Sequence, residues 1–179
     1  MDTLDLLSDL LSKALENGAE AADSLLVKSQ SVEVSQRMGE SEKLERSESR
    51  DLGLRVLIGK RQAIASSNDW TRSSLEELVA RSISMAKTVP EDPFCGLASA
   101  QDLSSAKTPD LELCDTYEPK VDQLAELART CEEAALSISG IANSEGAEAG
   151  YSRARIALSA TNGFAQDYTV TSHSFSVSV

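Results

Sequence analysis

The sequence predicts an α+β fold, with helices packed on a largely antiparallel or mixed β-sheet. Three observations predict it. Residues 51–67 read as a tight β-hairpin, three stretches carry helical periodicity between recognisable start and stop signals, and the connections between strands are short. Short connections favour antiparallel pairing, because parallel strands need a long crossover. Both halves repeat a helix-then-strands layout, without any repeat at residue level.

The first helix runs from Thr3, a capping residue, to a stop at Gly18, with Leu4, Leu7, Leu11, Ala14 and Leu15 on one face. A strand region follows from Ser24 to Met38. Its apolar phase changes between Val27 and Val32, which a bulge near Ser29-Gln30 would reconcile. Gly39-Glu40 reads as a turn. Lys43 to Arg50 is nearly all polar and fits either an exposed edge strand or a helix.

The hairpin is the clearest element. Leu52, Leu54, Val56 and Ile58 alternate with Gly53, Arg55 and Leu57, the period of a half-buried strand. Gly59-Lys60 then provides a two-residue turn with Gly first, as a type II′ turn prefers. That register sets Ile58 against Arg61, Val56 against Ala63 and Leu54 against Ala65.

Ser74-Leu75-Glu76-Glu77 reads as a capping box opening a second helix, with Leu75, Leu78, Val79, Ile83 and Ala86 inward and Pro90 at its end. Pro119 opens a third helix, with Val121, Leu124, Ala125, Ala128, Cys131, Ala135 and Ile138 on one side and Gly140 as its stop. Ala154, Ile156, Leu158 and Ala160 then alternate up to a hairpin signal at Asn162-Gly163. His173, Phe175, Val177 and Val179 alternate with serines, a pattern still running where the sequence stops, as in a piece cut from a longer protein. The expected organisation is a first α+β segment over 1–89, a Pro-containing surface linker over 90–119, and a truncated second segment over 120–179.

Composition excludes several functions. The chain has 179 residues, with 29 Asp+Glu against 17 Lys+Arg. So acidic a surface lacks the positive footprint that nucleic acids or anionic membranes require. Aromatics are 4% of residues, too few for a base-stacking platform. No apolar run is long enough to span a bilayer, and the acidic start is unlike a signal or transit peptide.

No reactive constellation emerges. Gly53 to Lys60 superficially resembles a phosphate loop, but five residues separate the glycines where four are needed, and Arg61 stands where Ser or Thr would hold magnesium. His173 is the only histidine and sits on an apolar strand parity, so it reads as a partly buried strand residue. Cys95, Cys114 and Cys131 are widely spaced free thiols, and Cys131 lies at core spacing. The charges Glu42, Glu45, Glu48, Asp51, Arg46, Arg50, Arg55, Lys60 and Arg61 form a solvated face or a surface for an extended peptide or partner. The catalytic, cofactor-binding and metal assignments are therefore all none.

GAEAAD (18–23), SVEVSQRMGESEKLERSESRDLGLRVLIGKRQA (31–63), VPEDPFCGLA (89–98) and NSEGAEAGYSRARIALSATNGF (143–164) resemble the PmbA (TldE) branch of the TldD/PmbA proteins. The resemblance covers nearly the whole chain and implies its amino-terminal portion. It implies a cytoplasmic protein tied to proteolysis, to maturation of microcin-type peptide precursors and, by an older name, to modulation of DNA gyrase. It implies a heterodimer with a TldD-type subunit, whose His-Glu-x-x-x-His motif binds zinc, and extended or unfolded peptides as substrates. No His-Glu pair occurs in this chain, so none of those ligands carries over, and the chain alone is expected to be inactive. The competing reading is a freestanding peptide- or protein-binding module that uses the charged strand edge.

Overall fold

The structure, a computed structural model, describes residues 2–99, 101–103 and 109–179. Its elements run α1 (Thr3–Glu16), β1 (Ala21–Arg37), β2 (Glu40–Ile58), β3 (Arg61–Ser67), α2 (Arg72–Thr88), α3 (Val121–Leu136), β4 (Gly146–Ala160) and β5 (Ala165–Ser178). The strands form one five-stranded antiparallel sheet in the order β3-β2-β1-β4-β5, which makes the fold α+β.

The β2–β3 hairpin has the expected register, with Leu54 opposite Ala65, Val56 opposite Ala63 and Ile58 opposite Arg61. Gly59 sits at φ 58, the left-handed first position of the turn, where a side chain would be strained.

Chain contacts divide the molecule into two compact units. The first comprises Met1–Lys28, Ser49–Pro109 and Arg155–Tyr168. Its core joins Leu7, Leu10 and Leu11 of α1, Ala22 and Leu26 of β1, Leu52, Leu54 and Val56 of β2, and Leu75, Leu78, Val79 and Ile83 of α2. Each fully buried Leu here contributes roughly 1.5–3 kcal/mol of transfer free energy. Asp23 and Arg55 form a partly buried ion pair in this unit, with Arg55 Nε donating to Asp23 Oδ2 at 2.9 Å.

The second unit comprises Ser29–Glu48, Asp110–Ala154 and Thr169–Val179. Its core is made of smaller residues: Val34, Leu124, Ala128, Ala147, Ala149 and Tyr151. Alanines on α3 and β4 let a helix approach closely but bury little apolar area.

Several local expectations change. Asp2, not Thr3, caps α1, its carboxylate accepting the Thr3 N–H at 2.6 Å, while Thr3 is the first helical residue and is buried. The helix ends as expected. Gly18, at φ 103, donates to the Leu15 carbonyl and Ala19 donates to that of Ala14, the two bonds of a Schellman motif. Leu10 joins the core, whereas Leu15 is exposed.

The second helix begins at Arg72, ahead of the expected capping box. Asp69 organises its start by accepting from the Thr71 N–H at 3.0 Å and the Ser74 hydroxyl at 2.6 Å. Those bonds, Ser74's first, hold the Asp69 carboxyl below its usual range. The inward residues of α2 are as expected, and Val89 is extended before Pro90.

In β1 the buried positions are Ala22, Ser24, Leu26, Val34 and Gln36, all of even number, so parity stays constant along the strand and Leu25 is exposed. The β1–β2 turn is Met38-Gly39, one residue earlier than expected, with Met38 taking φ 51. The ambiguous stretch Lys43–Arg50 is strand, part of β2. The β4–β5 turn spans Thr161 to Phe164, four residues in place of two.

The apolar parity of β5 is half-buried only at Val177, which packs against the second unit's core; His173 and Phe175 are exposed. The strand is a sheet edge, next to β4. The stretch after α2 contains no helix or strand among the described residues, and 100 and 104–108 lie outside them. Asp92 bonds to Lys60, and Asn162 to Ala98, within the first unit; Thr171 bonds to Leu113 within the second.

Candidate functional site

The most distinctive surface lies on β2. β3 pairs only with Leu52–Ile58, so the strand continues from Glu40 to Asp51 beyond that neighbour. All twelve of those residues are exposed. The length follows from sequence: Met38-Gly39 makes a tight turn, so β2 must run back along β1, and the alternation of charge and Ser keeps it solvated.

Within the second unit this edge carries Glu40, Glu42, Lys43, Glu45, Arg46 and Glu48. Lys43 and Glu45 form an ion pair. The hydrogen bond to Glu45, reinforced by its charge, raises the Lys43 pKa, and the same contact lowers that of Glu45. Arg46, Glu42 and Glu48 make no ion pair with any described residue. Arg55 and Arg61, by contrast, are engaged by Asp23 and Glu91. The charged set read from sequence is thus split into a structural part and an available part.

Beside the edge is a small pocket of about 90 Å³, lined by Gln30, Ser31, Val32, Arg46, Glu48, Glu118 and Tyr151. Tyr151 is buried and its hydroxyl has no hydrogen-bond partner among the described residues. His173 lies against it, with ring centroids 5.0 Å apart, and stacks on Tyr117 at 5.9 Å. The lone histidine is therefore an exposed member of an aromatic trio, not a partly buried strand residue.

Sequence reasoning overlooked Glu132. It is buried on α3, one turn after Ala128 and in phase with Leu124, and its carboxylate accepts from Met38 N at 2.8 Å, Gly39 N at 3.0 Å and Gln36 Nε2 at 3.3 Å. The Ser144 hydroxyl, then burial's opposing effect, then the backbone donors leave its carboxyl below the usual range. An acidic residue at a core position of a helix was the available signal. Tyr151 shares the parity of Ala147 and Ala149, a second signal of the same kind.

Cys95 is buried, Cys131 partly buried on α3, and Cys114 exposed. Among the described residues no group of three or more His, Cys, Asp or Glu is placed to hold a metal ion. The two rings beside His173 are phenols, poor divalent-metal donors, so the described residues around it do not fit a metal centre. No helix among them is long and apolar enough to cross a membrane.

Comparison with known proteins points to one family. Residues 22–86 match the pattern described as PmbA/TldA metallopeptidase domain 1. The chain is 32% identical over 177 residues to the metalloprotease PmbA homolog of Haemophilus influenzae, covering 97% of this chain and 39% of that protein. It is 32% identical over 178 residues to metalloprotease PmbA of Escherichia coli O157:H7, covering 96% and 39%. The chain thus spans about two fifths, 39%, of the curated relatives' length. A Bacteroides thetaiotaomicron crystal structure named for modulation of DNA gyrase superposes with a TM-score of 0.85 at 25% identity, covering 96% of this chain and 39% of that one. TldE from Thermococcus kodakarensis shares the fold, with a TM-score of 0.77 at 17% identity over 96% of this chain and 38% of its own. Residues 22–86 thus carry the signature of the first domain of PmbA/TldA metallopeptidases, and the chain resembles the PmbA proteins over nearly its whole length.

Proposed function

We propose that this chain is the non-catalytic, peptide- and partner-binding region of a PmbA/TldE-type subunit. In this reading it pairs in the cytoplasm with a TldD-type subunit, which would hold the zinc, in a metallopeptidase complex for proteolysis and microcin-type precursor maturation. Its task is to hold an extended peptide and wall the partner's chamber, not to cut bonds.

The observation that carries the reading is the open stretch of β2. A strand edge offers a row of backbone N–H and C=O groups that an extended chain can satisfy without any particular sequence. That generality suits a protease handling unfolded peptides. Charge on the edge discourages collapse onto a second copy.

A photo-crosslinking amino acid at Leu44, 58% exposed on the edge, tests it against the same group at Leu15, 43% exposed on α1. Crosslinking to an unfolded peptide or to a TldD-type subunit should be several-fold greater at position 44. Equal yields at both positions would refute the docking role. Capture of peptide but not of the subunit would favour the freestanding binding module.

A further inference from the structure

We propose that the pocket lined by Arg46, Glu48, Glu118 and Tyr151 receives the positively charged head of a Lys or Arg side chain from a peptide extended along β2. This rests on the docking role proposed for that edge and adds a side-chain preference to it.

Three observations carry the inference. First, the Tyr151 hydroxyl is buried without a partner, although Tyr151 is only 4% exposed. A buried hydroxyl left unpaired destabilises its site, and a bound donor would offset that. Second, Glu48 and Glu118 make no ion pair with described residues, and they outnumber the single cation, Arg46. Gln30 and Ser31 add further acceptor oxygens to the lining. An ammonium or guanidinium supplies three to five donors and no acceptor, the complement of such a wall. Third, the volume of about 90 Å³ admits a polar head group but not a large aromatic ring. The net charge of −12 points the same way, since the surrounding field concentrates cations.

Arg46 and Glu48 belong to β2 itself, so the pocket and the open edge share a strand. A peptide pairing with β2 sends alternate side chains to each face, so one of them can enter while the backbone bonds stay in place.

The test uses capped pentapeptides of alanine with a central Lys, norleucine or Glu, measured by calorimetry on the whole chain. The Lys peptide should bind at least ~10-fold more tightly than the norleucine peptide, a difference of about 1.4 kcal/mol. Tyr151→Phe keeps the ring beside His173 and removes only the hydroxyl. It should lower the Lys preference at least threefold, and Glu118→Gln should do the same, with norleucine binding unchanged. Equal binding of Lys and norleucine peptides, or tighter binding of the Glu peptide, would overturn the pocket while leaving the edge intact. A Lys peptide methylated at its backbone nitrogens separates the two ideas. If it binds as well as the parent, the edge reading fails and the pocket stands; if all the peptides fail to bind, both fail.

Discussion

The carboxylate of Glu132 accepts the backbone N–H of Met38 at 2.8 Å, although the two residues are 94 positions apart in the chain. The same group takes the next N–H, that of Gly39, at 3.0 Å. The β1–β2 turn presents two adjacent donors, a small anion nest, and α3 supplies the anion. Because the second unit's apolar core is thin, this junction is a large part of what joins α3 to the hairpin.

Replacing Glu132 with Ala should therefore cost about 2 kcal/mol, since charged hydrogen bonds are the stronger class and the donors are only partly rehydrated. Urea unfolding followed by circular dichroism measures it. A change below about 0.5 kcal/mol would show that α3 is held by packing alone.

The same group predicts a pH dependence. The Ser144 hydroxyl, the Gly39 and Met38 N–H groups and the Gln36 amide hold the folded carboxyl below its ordinary value of 4.5. A depressed folded pKa stabilises the fold above the unfolded value. That contribution is lost as pH falls through the lower, folded value. Stability of the natural chain should thus decline more steeply below pH 4.5 than that of Glu132→Gln, whose amide does not titrate. Parallel curves would contradict this.

Leu54 and Leu44 share a strand but not an environment, at 0% and 58% exposed. Leu54→Ala should cost roughly 2–5 kcal/mol through lost burial and a cavity. Leu44→Ala should stay within about 0.5 kcal/mol, as surface changes do. Paired denaturation curves check both.

At Gly59 a Cβ would meet nothing within 4 Å, so any cost of substitution comes from its backbone, at φ 58. Gly59→Ala should destabilise by about 1 kcal/mol. Gly53→Ala, where the new Cβ would meet the Leu25 carbonyl at an ordinary 3.9 Å, should change stability by less than about 0.5 kcal/mol. Thermal melts of the two variants separate turn strain from packing.

Trp70 is the only tryptophan, and Lys28 and Arg50 lie 5.0 and 5.3 Å from its ring centre. Arg50→Ala should cost about 0.5–1 kcal/mol and shift the emission to the red as water reaches the ring. An unchanged emission maximum would show that the guanidinium does not cover it.

Local chemistry was legible wherever one element contained its own explanation. The 51–67 hairpin could be read because turn residue and apolar alternation agree, and the α2 face because its spacing is helical. The family resemblance could be read from the long stretch 31–63, all of which falls in the matched residues 22–86. The first residues of helices were less legible, because a helix start is set by which side chains meet there: Asp2 takes the Thr3 N–H, and Asp69 binds Thr71 and Ser74 ahead of α2.

What the sequence by itself determined is the α+β class, the central hairpin, the three helices and the acidic character of the surface. Only the tertiary structure decided that Lys43–Arg50 is strand, that His173 and Phe175 of β5 are exposed, that His173 lies against two tyrosines, and that Glu132 is buried against a turn. The physical reason is range. Periodicity and turn preference act over a few neighbouring residues, whereas burial and pairing depend on groups brought from far along the chain.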